Sequence, residues 1–244
     1  MKGDIQFLVF AAMRAEVKRI QARRADTVEV GGAMVFIQER PGGRRFAVCL
    51  SGIGKEHAIQ VSGAVLEALR PALVLNVGSC GGLDPALCPG TVVIPEEIVS
   101  FRDSERIAVS THHAICSPVR DACAAVGYRT RRTGLFTSEA ALVTRQQKQQ
   151  ARDRTGCGVV DMETFWIAEA ASQCNIPFAP LRVVLDVADE ELPVFSEKKI
   201  RGIPLPRLTP RNAVKLPGIA WRARRVSAII GETAGRIIDT VCLS

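Results

Sequence analysis

Residues 177–189 read PFAPLRVVLDVAD, and the fold turns on how that run is taken. From Phe178 to Leu185 it is almost continuously apolar, without the every-second-residue alternation of a strand that faces water on one side. Such a run marks a strand buried on both faces, which belongs to a parallel or mixed sheet covered by helices. It ends in acid, with Asp186 at its tip and Asp189 three residues later. A carboxylate at the end of a buried strand is costly unless something uses or neutralises it. Taken alone, Asp186 is also a favoured N-cap for a helix over VADEEL, so a cap and a functional acid compete.

The same grammar extends outward along the chain. DIQFLVFAA reads as a strand followed by a helical RAEVKRI, and TVEVGGAMVFIQE as a hairpin around Gly31-Gly32. RRFAVCLSG is a strand before IGKEHAIQVSGAVLEALR, whose apolar residues fall at helical spacing. ALVLNVG runs into a glycine-rich turn, GSCGG; GTVVIPEEIVS and RRTGLFTS are strands; EAALVTRQQKQQARD and ETFWIAEAASQCN are helices. Strands alternating with helices predict a three-layer α/β/α domain around a central mixed sheet. Its expected extent is residues 1–190. Residues 191–244, a basic proline-rich segment and an amphipathic helix over about 218–239, are expected to pack on the same domain.

Composition narrows the classes. A chain of 244 residues, 47% hydrophobic and 23% charged, suits one large α/β domain. FLVFAAM is seven residues long and meets Arg14 and Glu16 at once, which favours a first strand over a signal peptide. No apolar run approaches the roughly 20 residues of a membrane span, so a soluble, cytoplasmic protein is expected. Eight cysteines without a CxxC pair read as reduced, mostly buried thiols. With only three histidines to join them, no metal site is expected, and no cofactor. The formal charge of +7 is local: residues 191–225 hold nine Lys/Arg against Glu191 and Glu197, leaving the other residues at zero. That argues against a nucleic-acid-binding body. It leaves either a solvated tail or a basic face for anionic lipid or a phosphorylated ligand.

In α/β sheets ligands sit at the C-terminal ends of strands, and three segments put chemistry there. NVGSCGG, residues 76–82, would let backbone N–H groups approach an anion or a sugar. SGIGK lacks the residues a phosphate-binding P-loop requires and does not fit a dinucleotide fingerprint. In VVDMET, Asp161 and Glu163 flank Met162 at a strand-to-helix junction. One acid there is an ordinary helix-start residue; two around a methionine suit a clamp on vicinal hydroxyls. The third segment is the acidic strand end at Asp186.

SGIGK, NVGSCGG, VVDME and RVVLDVAD, in this order, resemble the purine nucleoside phosphorylase and nucleosidase superfamily from the first strand to about residue 190. In motifs the chain is most similar to 5′-methylthioadenosine/S-adenosylhomocysteine nucleosidases. The resemblance implies cleavage of the N-glycosidic bond of a purine nucleoside, adenosine-type and 5′-substituted, with release of adenine. It implies that Asp186 protonates the departing base, with burial as the means of keeping a proton available. Glu16 would activate water, and Glu163 would clamp the ribose hydroxyls with Met162 beneath the sugar. Ser79, Gly81, Ile53 and Arg182 would line the substrate, and the Val143 backbone would pair with the purine edge. Leu142 stands where the family stacks an aromatic ring, and Leu185 where the nucleosidases carry serine.

Two other readings stand beside this one. Arg14 matches a phosphate-binding arginine of hexameric phosphorylases, with Ser79 a second candidate phosphate ligand, while Asn76 replaces another of their arginines. The tail resembles that of phosphorylase-like proteins associated with hopanoid synthesis, which would make the reaction phosphorolysis of a lipid-linked adenosine. Residues 191–225 would then touch a membrane surface peripherally. A non-catalytic nucleoside-binding protein is the third reading. A homo-oligomer is expected by resemblance.

Overall fold

A computed structural model describes residues 5–21, 25–111, 113–192, 195–200, 203–206 and 216–242. Two strands organise it. β5 (Leu73–Gly82) and β12 (Phe178–Asp186) lie parallel, with Phe178 opposite Val74 and Asp186 opposite Gly81. The other edge of β5 takes β1 (Phe7–Ala11) in parallel through its first residues. Beyond the end of β1, that edge takes β11 (Val159–Asp161) antiparallel through Gly81 and Gly82.

On the β1 side the sheet continues through β4 (Arg44–Leu50), β3 (Ala33–Arg40) and β2 (Asp26–Val30). Beyond β11 it continues through β10 (Leu135–Thr137), β7 (Glu97–Arg102) and β8 (Glu105–Ser110). A branch from β12 carries β6 (Val92–Val93) and β9 (Thr130–Arg131), completing twelve strands. β13 (Phe195–Ile200) and β14 (Ile203–Pro206) form a separate antiparallel pair.

Alternate residues of the buried strands serve opposite cores, as the two-residue period of a strand requires. Leu8 and Phe10 of β1, Val74 of β5, and Phe178 and Val184 of β12 face α2 (Lys55–Leu69) and α5 (Thr164–Gln173). Phe7, Val9, Leu75, Leu181 and Val183 face Val17 of α1 (Arg14–Val17), Cys116 and Val119 of α3 (His113–Ala125), and Val226, Ile229 and Ile230 of α6 (Leu216–Thr240). The result is the three-layer α/β/α architecture with a mixed sheet. α4 (Arg145–Thr155) starts at Thr144, whose side chain accepts from Gln147 N–H while Gln147 reciprocates, a capping box.

Four expectations change. GSCGG is not a turn, because β5 continues through Gly82. Its glycines answer close approaches: a Cβ on Gly78 would stand 3.3 Å from Arg182 and 3.4 Å from Glu16, and one on Gly81 3.2 Å from Val160 and 3.3 Å from Asp186. The segments GTVVIPEEIVS and RRTGLFTS each yield two short strands, divided near Pro95 and around Thr133. RAEVKRI is a single helical turn. Residues 187–192 are not helical, so the cap reading fails: residues 187–190 form a turn closed by Glu190 N–H on Val187 O at 3.1 Å. Of the nine cations in 191–225, only Arg222, Arg224 and Arg225 have side chains among the described residues. No helix among the described residues is long and apolar enough to cross a membrane.

Candidate active site

The carboxyl end of β5, the end of β12, the β11–α5 junction and the loop before α4 surround a cavity of ≈190 Å³. Asp186, Glu16 and Glu163 all line it, together with Met162, Ser79, Gly81, Ile53 and Arg182. Leu142 and Leu185 contribute to its wall, with Ala140, Ala141 and Leu192, so among the described residues the enclosure on this side is aliphatic and holds no aromatic ring.

Glu16 reaches the cavity because α1 begins immediately after β1 and turns only once. Its carboxylate is 3% exposed. Oε2 accepts from Met13 N–H at 3.0 Å, and Oε1 accepts from Ser79 N–H at 2.9 Å and from Ser79 Oγ at 3.2 Å. Burial pushes Glu16 above the usual carboxylate range, against the lowering effect of those donors and of Arg182. A carboxylate whose hold on a proton is strengthened by burial is suited to act as a general base.

Glu163 precedes α5, and its Oε1 accepts from Gly54 N–H, at the start of α2, at 2.7 Å. Burial, with the neighbouring charge of Asp161 second, pushes it up to about 7. No donor among the described residues meets its other oxygen.

Below these groups lies a closed polar network. Arg182 donates to Asp161 Oδ2 from Nε at 3.0 Å and from a terminal nitrogen at 2.9 Å, to Asn76 Oδ1 at 2.5 Å and to Thr164 Oγ1 at 2.5 Å. Thr164 Oγ in turn meets Asp161 Oδ2, and Thr137 Oγ donates to Asp161 Oδ1 at 2.8 Å. All of these side chains are buried. Asn76, at the position where hexameric phosphorylases carry an arginine, is thus a strut for Arg182.

Asp186 is 4% exposed and meets Lys148 Nζ at 2.5 Å through Oδ2. Burial raises its carboxyl above the ordinary value, and Lys148 pulls it back. Lys148 carried no sequence signal: in TRQQKQQARD it looks like one more solvated residue. Lys148 and Ala151 are the residues of α4 that face inward. Asp189, by contrast, is exposed.

Three expected ligand contacts are not favoured by the geometry. Arg14 is exposed, lies with its guanidinium 5.8 Å from the Phe36 ring centroid, and does not line the cavity. Ser79 commits both its N–H and its hydroxyl to Glu16. The Val143 backbone is also occupied: its N–H donates to Gln147 Oε1 at 2.9 Å and its carbonyl accepts from Leu192 N–H at 2.9 Å. From this loop it is Ala140, Ala141 and Leu142 that face the cavity. Cys80 lines it too, but burial raises its thiol, which makes it a poor nucleophile.

The phosphorylase superfamily model matches residues 6–201. Among solved structures, 5′-methylthioadenosine/S-adenosylhomocysteine nucleosidase from Neisseria meningitidis, in complex with methylthio-immucillin-A, superposes with a TM-score of 0.79 at 19% identity, covering 97% of this chain and 99% of that one. The Colwellia psychrerythraea nucleosidase in complex with adenine gives 0.77 at 17% identity, with 97% and 96% covered. Futalosine hydrolase of Helicobacter pylori gives 0.75 at 14% identity, with 95% and 97% covered. At these identities the likeness is one of fold.

Proposed function

Since the chain belongs to the phosphorylase superfamily, we propose that it hydrolyses the N-glycosidic bond of an adenosine-type, 5′-substituted nucleoside and releases adenine. The observation that carries this reading is that two buried carboxylates, Asp186 and Glu16, and the half-buried Glu163 line one cavity. Asp186 is the acid that protonates the base, which leaves poorly as an anion. Glu16 takes a proton from the attacking water as the sugar becomes oxocarbenium-like. The unpaired oxygen of Glu163 accepts from the ribose hydroxyls. Water is favoured over phosphate because Arg182 is saturated by protein acceptors, Arg14 lies outside the cavity, and Ser79 is committed to Glu16.

The test is to incubate the protein with 5′-methylthioadenosine and with adenosine, with and without phosphate, and to analyse the sugar. Free sugar independent of phosphate is expected. A phosphate-dependent sugar 1-phosphate means phosphorolysis instead, and adenine binding without turnover means a non-catalytic binding protein.

A further inference from the structure

Lys148 lies wholly inside the protein, 1% exposed. Its Nζ is 2.5 Å from Asp186 Oδ2, 2.7 Å from Val187 O and 3.0 Å from Glu190 O. An ammonium has three N–H donors and no acceptor, and three oxygens meet it here. The site therefore uses every proton of the charged form, whereas a neutral amine would leave one oxygen unmet. Asp186 is gripped by Oδ2 alone. No donor among the described residues meets Oδ1, which leaves that oxygen for whatever enters the cavity that Asp186 lines.

The other groups facing Asp186 do not offset this cation. Glu190, on the turn after β12, and Arg222, on α6, are paired with each other through both guanidinium nitrogens, one contact at 2.6 Å. Cys80 on β5 presents a buried thiol. Lys148 is the cation in direct contact with the acid.

Resting on the glycosidic cleavage proposed above, we propose that Lys148 is the positioning residue for the acid: it presents Oδ1 to the base and stabilises the carboxylate left after proton transfer. In that step the bond between the sugar's anomeric carbon and the purine nitrogen breaks, and its electron pair enters the purine ring. The proton on Asp186 Oδ1 moves to the purine imidazole nitrogen. The water oxygen bonds to the anomeric carbon, and its proton passes to Glu16. Negative charge remains on Asp186 beside Lys148, so the ammonium favours the end of the transfer over its beginning. The same ammonium limits how far up the pH scale Asp186 keeps its proton.

The experiment is the pH profile of kcat/KM for 5′-methylthioadenosine cleavage in wild type, Lys148→Met and Asp186→Asn, with circular dichroism to verify folding. Lys148→Met keeps the bulk of the stem and removes the charge. Its alkaline limb should move up by at least about one pH unit, since an opposite charge at this range holds a carboxyl down by about 1–3 units. Its plateau should fall by about tenfold or more, in kcat rather than KM. A limb that stays where the wild type has it, with Asp186→Asn inactive, overturns the role of Lys148 and leaves the acid in place. Asp186→Asn with wild-type turnover overturns the acid itself. Should Lys148→Met not fold, Lys148→Arg carries the test. With the charge kept, the limb should hold while the plateau drops, and a limb that shifts contradicts the proposal.

Discussion

The molecule buries two cation–aspartate pairs within one site, and they differ in what they leave over. Around Arg182 and Asp161 every strong donor and acceptor has a partner: Asn76, Thr137 and Thr164 fill the positions the pair leaves open. Around Lys148 and Asp186 the lysine is saturated but the aspartate is not. A saturated buried network holds backbone in place, here tying β5, β11, α5 and β12 together beneath the cavity. A pair with one oxygen left over is poised to exchange a proton with a ligand. The contrast separates the groups that build the site from those proposed to work in it.

Breaking the saturated pair should have the largest effect on stability. Arg182→Met strands Asp161 without its cation and should lower the unfolding free energy by about 3–5 kcal/mol, measured by urea denaturation. A loss below about 1 kcal/mol would mean that this network behaves like a surface ion pair. Thr164→Val removes one shared hydroxyl from the same network while conserving shape, and about 1–3 kcal/mol should follow in the same measurement.

Glu163 sharpens the comparison through pH. Its folded value of about 7 lies above the ordinary 4.5, so the folded protein binds the proton more tightly than the unfolded chain does. The stability this contributes is present below about pH 4.5 and is lost as pH rises through about 7. Urea midpoints of the wild type should therefore fall across that interval, and Glu163→Gln should fall less. Parallel curves for the two proteins would remove Glu163 as the source. The smallest effect belongs to Arg222→Ala. That pair with Glu190 is only partly buried, and about 0–1 kcal/mol is expected, with the melting temperature as the readout.

Much of this was legible in the sequence, and the gaps have physical causes. The continuous apolar runs of β1, β5 and β12 betray strands buried on both sides, and acids at strand ends single out Glu163 and Asp186, whereas Glu16 is supplied by the family resemblance alone. GSCGG misleads because glycine serves close packing as well as turning: at positions 78 and 81 it makes room for Arg182, Glu16, Val160 and Asp186 inside a continuing strand. Val143 misleads because Gln147, as part of the α4 capping box, takes its N–H. Lys148 is hidden because burial of a lone lysine depends on acceptors 38 to 42 residues away, which no local pattern encodes.

The central claim is that Asp186 supplies a proton to a leaving base, and the most direct measurement compares two leaving groups in one variant. Asp186→Asn is assayed on 5′-methylthioadenosine and on a 4-nitrophenyl riboside, whose phenolate departs without a proton. Cleavage of the purine nucleoside should fall by about 10²–10⁴-fold, while the aryl riboside loses less than about tenfold. Equal losses on both substrates, or none on the purine nucleoside, would contradict the assignment.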